Sequence, residues 1–255
     1  MPAHQSLSDE SWRQRTLLLA GLACAILLAA SLVKPIPQPL TYHAFHDGRA
    51  FLGIPNFFNV VSNLPFLAVG LMGLGWLRAN PPSLAPELRT PYMVVFAGLA
   101  LTALGSAYYH WWPDNHTLVW DRLPIAVSFM ALFSAVLAER VTPKAASTLL
   151  PLALFGAASV GYWHFVDDLR PYLVAQFLPV VLMPLILWLY PPAYSRGQDF
   201  LISIGFYAAA KVLEFQDGPI YAALGQTLSG HTMKHLAAAG GTWWIYRMLV
   251  LRRQT

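Results

Sequence analysis

Charged residues are scarce in this chain. Only 11% of its 255 residues are Asp, Glu, Lys or Arg, whereas 56% are hydrophobic. A soluble domain of this size carries about a quarter charged residues. The composition therefore excludes an ordinary soluble globular domain and predicts an integral membrane protein.

Cysteine is nearly absent as well, since Cys24 is the only one. A single cysteine excludes an intramolecular disulfide and a cysteine-based metal site. The chain also lacks a basic motif with interleaved aromatic residues, so its net charge of +4 does not indicate nucleic-acid binding. Long linkers, low-complexity tracts and blocks of like charge are missing too, which favours one compact membrane domain.

What the sequence has instead is a series of apolar segments of roughly 17–25 residues, the length that crosses a bilayer as a helix. Loops marked by proline or glycine separate them, such as "KPIPQP" and "WWPDNH". We therefore predict an all-α, polytopic bundle of transmembrane helices. The eight predicted spans are 15–33, 57–78, 91–112, 118–139, 145–163, 171–190, 198–215 and 230–250.

Basic residues divide unequally between alternate loops. If the N-terminus is inside, ten lysines and arginines fall on the inner face and three on the outer face. The positive-inside rule then predicts that both termini are cytoplasmic. The first segment could instead be a cleaved signal sequence, with "LAAS" as a weak cleavage site. Its length and the outer position of Lys34 favour a retained helix.

Two histidines four residues apart, His231 and His235, open the last apolar segment in "GHTMKH". On a helix they share one face, one turn apart. "GSAYYH" closes the third segment and places Ser106 and His110 on one face, while "WDRLP" opens the fourth with Asp121 near the same depth. Three histidines that leave a fourth position open suit a catalytic zinc ion, whose bound water a nearby carboxylate can deprotonate.

Each of these residues also has a structural interpretation. The histidines could be polar residues at a membrane surface, Asp121 could pair with Arg122 at a helix start, and Ser106 could be a small packing contact. Lys211 and Glu214, one turn apart, are interpreted as a structural pair facing the bundle interior. Four further histidines fall on the predicted outer side and are alternative ligands: His43, His46, His116 and His164.

A polar cluster lies early in the second segment, in "NVVSN". Asn59, Ser62 and Asn63 are expected to form hydrogen bonds between helices. They could also orient a ligand histidine from the second coordination shell.

The motifs in combination resemble the alkaline ceramidase family, within the larger group of seven-helix membrane hydrolases that includes the adiponectin receptors. The matching stretches are "NFFNVVSNLPF", "GSAYYH", "DRLP" and "GHTMKH", over about residues 56 to 250. The resemblance implies a bacterial-type member with a seven-helix core in residues 35–255. An extra transmembrane helix in residues 1–34 precedes this core.

The resemblance also implies roles for individual residues. His110, His231 and His235 would be the zinc ligands, with Ser106 and Asp121 catalytic, and the reaction would be hydrolysis of the amide bond of a ceramide. Animal members bind calcium through an acid-rich segment with a glutamate at the place of Asn56. Here Asp47 is the only acid between Lys34 and Asn56. One carboxylate is a poor calcium cage, so we predict no calcium site.

We therefore predict a zinc-dependent amidase in the cytoplasmic membrane, with its site toward the outer face. It would hydrolyse the N-acyl bond of ceramide-like lipids by a metal-activated water. The alternatives are a zinc hydrolase of another acylated lipid and a membrane receptor or transporter with a structural metal. A fourth protein ligand, such as His116 or His164, would favour the structural metal.

The distribution of basic residues makes a direct prediction about topology. A reporter fused after Thr255 should be active on the cytoplasmic side, because eight spans return the C-terminus to the side of the N-terminus. Protease protection in oriented vesicles checks the result. An external C-terminus would refute either the number of spans or the orientation.

Overall fold

The computed structural model describes residues 8–254 as a bundle of helices joined by short loops. The predicted all-α fold is confirmed. The long helices run back and forth, so that neighbours along the chain are antiparallel. The helices are α1 (Asp9–Leu32), α2 (Phe57–Val61), α3 (Leu64–Arg78), α4 (Pro86–Trp111), α5 (Asn115–Arg140), α6 (Leu149–Val166), α7 (Arg170–Leu189), α8 (Asp199–Phe215), α9 (Asp217–Ala223) and α10 (Gly230–Leu251), with short 3-10 helices at Leu40–His43 and Pro143–Thr148.

The described residues contain six helical segments that are long and apolar enough to cross a membrane, which identifies an integral membrane protein. They correspond to the first six predicted spans. The last two predicted spans are α8, which has 17 residues, and α10, which contains His231, Lys234 and His235. Membrane crossing by α8 and α10 stays a prediction. The six segments are Asp9–Leu32, Phe57–Arg78, Pro86–Trp111, Asn115–Arg140, Pro143–Val166 and Arg170–Leu189.

Two local features differ from the sequence prediction. The second span is interrupted between α2 and α3, where Pro65 lacks the N–H that a continuous helix would donate to the carbonyl of Val61. The predicted loop at "QDGP" contains α9, whose first turn carries Asp217. A carboxylate there is favoured by the partial positive charge of a helix N-terminus.

Side-chain caps set the starts of the two helices that follow the tight reversals near the predicted site. Asp114 accepts a hydrogen bond from the Thr117 N–H at 2.7 Å and forms a capping box with that residue. Ser229 accepts from the Thr232 N–H at 3.0 Å before α10. These caps bring the end of α4 and the starts of α5 and α10 to one end of the bundle, here called the site end; the other is the distal end.

Helix α1 lies at the edge of the bundle and packs along α7. Within α1 only Leu19 is buried. Its C-terminal end is fastened at the site end by Arg170, which donates to the Val33 carbonyl at 2.6 Å and to the Asp168 carboxylate at 2.7 Å. The hydrogen bonds from Arg170 lower the pKa of Asp168 to about 2, so this clamp persists across the physiological pH range.

A buried ion pair closes the distal end. The Arg252 guanidinium lies 2.5 Å from the Glu139 carboxylate, and each side chain is only 1% exposed. Tyr92 also donates to Glu139, and the Arg252 guanidinium stacks 4.0 Å from the centre of the Tyr194 ring. The pair therefore ties the end of α10 to the end of α5.

Removal of one partner should leave a buried charge without compensation. We expect Arg252→Ala to destabilise the protein by about 3–5 kcal/mol, the typical effect of breaking a buried pair. The adjacent exposed Arg253 is a matched control, and Arg253→Ala should change stability little. Thermal unfolding in detergent measures both variants, and equal melting temperatures would contradict the structural role of the pair.

Candidate metal centre and catalytic residues

Three histidines from two helices converge at the site end. His110 comes from the last turn of α4, and His231 and His235 come from the first two turns of α10. One ring nitrogen of each lies within 4.8 Å of one from each of the others. The three side chains are 1–5% exposed. The predicted histidines are therefore brought together, and this cluster can hold a metal ion.

The hydrogen bonds around the cluster leave ring nitrogens free for a metal. Ser62 donates its hydroxyl proton to the Asn59 carbonyl at 3.1 Å. The Ser62 oxygen lies 2.7 Å from His235 Nδ1 and is positioned to accept the proton of that ring. The tautomer with its proton on Nδ1 has a free lone pair on Nε2, as a metal-binding histidine requires.

The other two rings fit a metal for a related reason. Nε2 of His110 and Nε2 of His231 are 3.3 Å apart, and two imidazoles at this distance share at most one hydrogen bond. A cation shared by the two rings would bind both Nε2 lone pairs, which this contact cannot satisfy together.

The remaining histidines near this end do not join the cluster. His43 uses both ring nitrogens, one with the Tyr109 hydroxyl and one with the Asn115 side chain, each at 3.0 Å. His116 and His164 pack against each other with ring centroids 5.3 Å apart. Among the described residues, the cluster that could hold a metal therefore consists of three histidines and not four.

Ser106 and Asp121 lie side by side next to the histidines. Both side chains line the same cavity, which His235 also lines. The two residues come from antiparallel helices whose backbones approach closely at Gly105. A Cβ atom at Gly105 would lie 2.0 Å from the Trp120 carbonyl oxygen, so only glycine permits this contact. The packing residue is therefore Gly105, while Ser106 faces the cavity described below.

The alternative interpretation of Asp121, an ion pair with Arg122, competes with a different contact of Arg122. Arg122 Nη2 donates to Gln38 Oε1 at 2.6 Å, and the residue is 6% exposed. Asp121 is left beside Ser106 on the wall of the cavity.

The polar cluster of Asn59, Ser62 and Asn63 contacts the first turns of α10, which carry His231 and His235. Besides the contact of Ser62 with His235, Asn59 accepts a hydrogen bond from the Thr232 hydroxyl at 2.8 Å. Asn63 donates to the Asn59 carbonyl at 2.8 Å. All three α2-region residues are at most 5% exposed. These hydrogen bonds therefore hold α10 against α2 next to His231 and His235.

Three residues for which the sequence predicts no role at the histidine cluster also contact it. The Phe45 ring packs 4.6 Å from His110 and 4.9 Å from His231, measured between centroids. Asp217 accepts from the His231 N–H at 2.7 Å, and Asn56 donates to the His110 carbonyl at 2.8 Å. No local spacing signals these contacts, because each joins segments far apart in sequence.

Asp47, the acid considered for calcium, is engaged by a neighbour. Both of its carboxylate oxygens accept from Arg49 at 2.7 Å. Burial alone would raise the pKa of Asp47, but the hydrogen bonds from Arg49 lower it, so the carboxylate is charged and neutralised internally.

An elongated cavity of about 390 Å³ begins at this centre and runs toward the distal end. Ser106, Asp121 and His235 line its polar end, together with six further polar or charged side chains. The deeper wall is apolar and is formed by five helices, with Leu99, Phe129, Met183 and Ile245 among its residues. Between Asp121 and Leu132 on α5 the wall extends over about 16 Å, taken at a rise of about 1.5 Å per residue. The polar residues at the site end of the cavity are Gln38, Tyr42, Ser106, Asp121, Arg122, Lys211, Glu214, Lys234 and His235.

The chain matches a known protein family. A family model described as Ceramidase matches residues 52–250 of the chain. No curated protein matches. The matched region runs from before α2 into the last turn of α10 and contains His110, His231 and His235. Helix α1 lies outside it.

The cluster predicts the metal content of the purified protein. We expect about one divalent metal per chain, because three histidines with a free fourth position form one site. His231→Ala should remove most of the bound metal. His43→Ala is the control and should retain it, since the His43 ring nitrogens have other partners. Elemental analysis after gel filtration measures the number of metal ions per chain. An unchanged metal content in His231→Ala would contradict the assignment of His231 as a ligand.

Proposed function

The chain belongs to the ceramidase family, and we propose that it is a zinc-dependent membrane hydrolase that cleaves the N-acyl amide bond of ceramide-like lipids. Family membership supports a hydrolase that acts on a lipid. One observation carries the finer proposal: the three-histidine cluster adjoins Ser106 and Asp121 at the polar end of a long apolar cavity. The site therefore combines a metal position, a proton acceptor and space for an acyl chain.

His110, His231 and His235 would hold the zinc ion. Imidazole nitrogens are common zinc ligands, and three of them with an open position are typical of catalytic sites. When bound there, zinc would polarise the amide carbonyl and lower the pKa of a water molecule. The hydrogen bond from His235 Nδ1 to Ser62 would hold the His235 ring in its ligand orientation.

Asp121 is proposed as the general base and acid. Its carboxylate would accept a proton from the water that adds to the carbonyl carbon. It would then return that proton to the amide nitrogen as the C–N bond breaks, so the products are a fatty acid and an amine. Ser106, which lines the cavity with Asp121, is proposed to donate a hydrogen bond to the oxygen that gains negative charge.

The acyl chain would occupy the apolar part of the cavity. This part is lined by side chains from α4, α5, α7, α8 and α10. The backbones of α7 and α8 have little contact, and the rings of Phe177 and Tyr207 meet between the two helices with centroids 6.3 Å apart. A boundary closed by side chains and not by closely packed backbones supports lateral entry of the lipid from the bilayer. With both termini cytoplasmic, the site would lie toward the outer face of the membrane.

A structural metal in a receptor or transporter fits the site less well. Structural zinc ions usually have four protein ligands, and the cluster in the described residues has three. A structural metal also gives no reason for a buried serine and an aspartate to face a cavity of acyl-chain shape. These features favour the hydrolase over the receptor.

The proposed role of Asp121 predicts a selective loss of turnover. Asp121→Asn preserves size and removes basicity, so the protein should fold and bind metal while the rate falls by about 10²–10⁴-fold. The matched control is Asp114→Asn, which changes the cap at the start of the same helix. That variant should lose about 1 kcal/mol of stability or less and retain its turnover. The assay is ceramide hydrolysis in lipid nanodiscs, normalised to metal-loaded protein, and wild-type rates in Asp121→Asn would exclude its catalytic role.

Ser106 should behave differently from Asp121. Ser106→Ala removes one donor and should lower turnover by up to about 10²–10³-fold, with metal content and fold retained. The control is Ser128→Ala, which alters a hydroxyl deeper on the same cavity wall. Equal rates in these two variants would assign Ser106 a packing role. Failure of the native protein to cleave any N-acyl or O-acyl lipid would contradict the proposed function itself.

A further inference from the structure

A second group of charged side chains lies at the polar end of the cavity, and the proposed hydrolysis does not use it. Glu214 Oε2 accepts from Lys211 at 2.8 Å, and Glu214 Oε1 accepts from Lys234 at 2.8 Å. Tyr42 donates to the same carboxylate at 3.3 Å. The sequence predicts an ion pair between Lys211 and Glu214 only. The structure joins a second lysine to them, and all four residues line the cavity.

Arg122 adds a third cation to this wall. Its guanidinium packs 4.2 Å from the centre of the Trp163 ring and 4.9 Å from that of Tyr172, which holds it rigidly. Nη2 donates to Gln38, whereas Nη1 is buried with no hydrogen-bond partner among the described residues. An arginine is suited to oxyanions because its planar donors match carboxylate and phosphate oxygens. Arg122 thus retains donor capacity next to Asp121.

The charges that line the cavity do not balance. The cations are Arg122, Lys211 and Lys234, and the anions are Asp121 and Glu214. One positive charge is therefore in excess before any metal is counted. The Lys211 side chain is 38% exposed, whereas Arg122 is buried, and a buried charge without a counter-ion is costly. A ligand that brings a negative charge to this wall would remove that cost.

The position of the excess charge relative to the scissile bond decides which part of a substrate it meets. The apolar part of the cavity extends from Ser106 and Asp121 toward the distal end and would take the acyl chain. Lys211, Lys234 and Arg122 lie at the polar end of the cavity, at the level of the reacting groups, since Arg122 follows Asp121 on α5 and Lys234 precedes His235 on α10. With the acyl chain in the apolar part, they would face the amine portion of the substrate and not its acyl tail.

We propose that Arg122, Lys211 and Lys234 form a subsite for an anionic group on the amine portion of the substrate. The preferred substrates are then N-acyl lipids whose amine portion carries a carboxylate or a phosphate, and neutral ceramides are slower substrates. This inference rests on the proposed amide hydrolase, and it specifies the chemical class of the headgroup. Glu214 holds the two ammonium groups in place, and each retains further N–H donors for the ligand.

The experiment compares an acidic substrate with its neutral carboxamide and includes a ceramide as a third substrate. The purified full-length protein in nanodiscs is given N-palmitoylglycine, its neutral carboxamide N-palmitoylglycinamide, and an N-palmitoyl ceramide. We expect kcat/KM for the acid to exceed that for the carboxamide by about tenfold or more, the usual effect of hydrogen bonds between charged groups. Lys211→Gln and Lys234→Gln should each reduce this ratio severalfold. Lys144→Gln, a lysine at the distal end, should leave the ratio unchanged.

A binding measurement separates this inference from the proposed function. In Asp121→Asn, which should fold without turnover, N-palmitoylglycine should raise the melting temperature more than the carboxamide does at equal concentration. Hydrolysis of ceramide with equal rates for the acid and the carboxamide would overturn the anionic subsite and leave the amidase intact. Absence of all hydrolysis with a retained binding preference would support the subsite and contradict the amidase. Lysine variants that weaken inhibition by free palmitate but keep the substrate ratio would also overturn the proposal, because the cations would then hold the product.

Discussion

The convergence of three imidazole rings in an apolar bundle is the constraint on which the arrangement of the site end depends. Ring nitrogens of His110, His231 and His235 lie within 4.8 Å of one another, and all three rings are buried. Neutral imidazoles offer each other few hydrogen bonds, so such a cluster is favourable chiefly when a cation uses its lone pairs. The neighbours of the rings fit this requirement. Ser62 is positioned to accept the Nδ1 proton of His235, and Asp217 and Asn56 hold the backbone of the two helices that carry the ligands.

The chemistry beside the cluster depends on close helix packing. The contact at Gly105 brings α4 and α5 together, and this contact places Ser106 next to Asp121. The cavity then divides into two regions with different chemistry. The charged region contains Arg122, Lys211 and Lys234, and the apolar region reaches toward the distal end. An amphiphile with one tail and one polar group matches this division, with its amide at the boundary.

Local patterns in the sequence predict the elements and the ligand pairs, because both depend on spacing within one segment. Apolar stretches of membrane length indicate the helices, and the four-residue spacing of His231 and His235 places them on one face. Hydropathy does not predict the break at Pro65 or the helix α9, because neither changes the apolar character of the segment that contains it. The contact of Ser62 with His235 joins residues 173 positions apart. The link from Glu214 to Lys234 likewise depends on how α8 packs against α10, and no pattern within one helix encodes such a contact.

The central claim is that three histidines and no fourth protein residue hold a catalytic zinc at the head of a lipid cavity. X-ray absorption at the zinc edge of the purified full-length protein tests this claim most directly. The account predicts a shell of three imidazole nitrogens and one solvent oxygen at about 2.0–2.1 Å. The oxygen signal should change when an N-acyl lipid is added to Asp121→Asn. A shell of four protein ligands that is insensitive to lipid, or a protein that binds no zinc, would contradict the account.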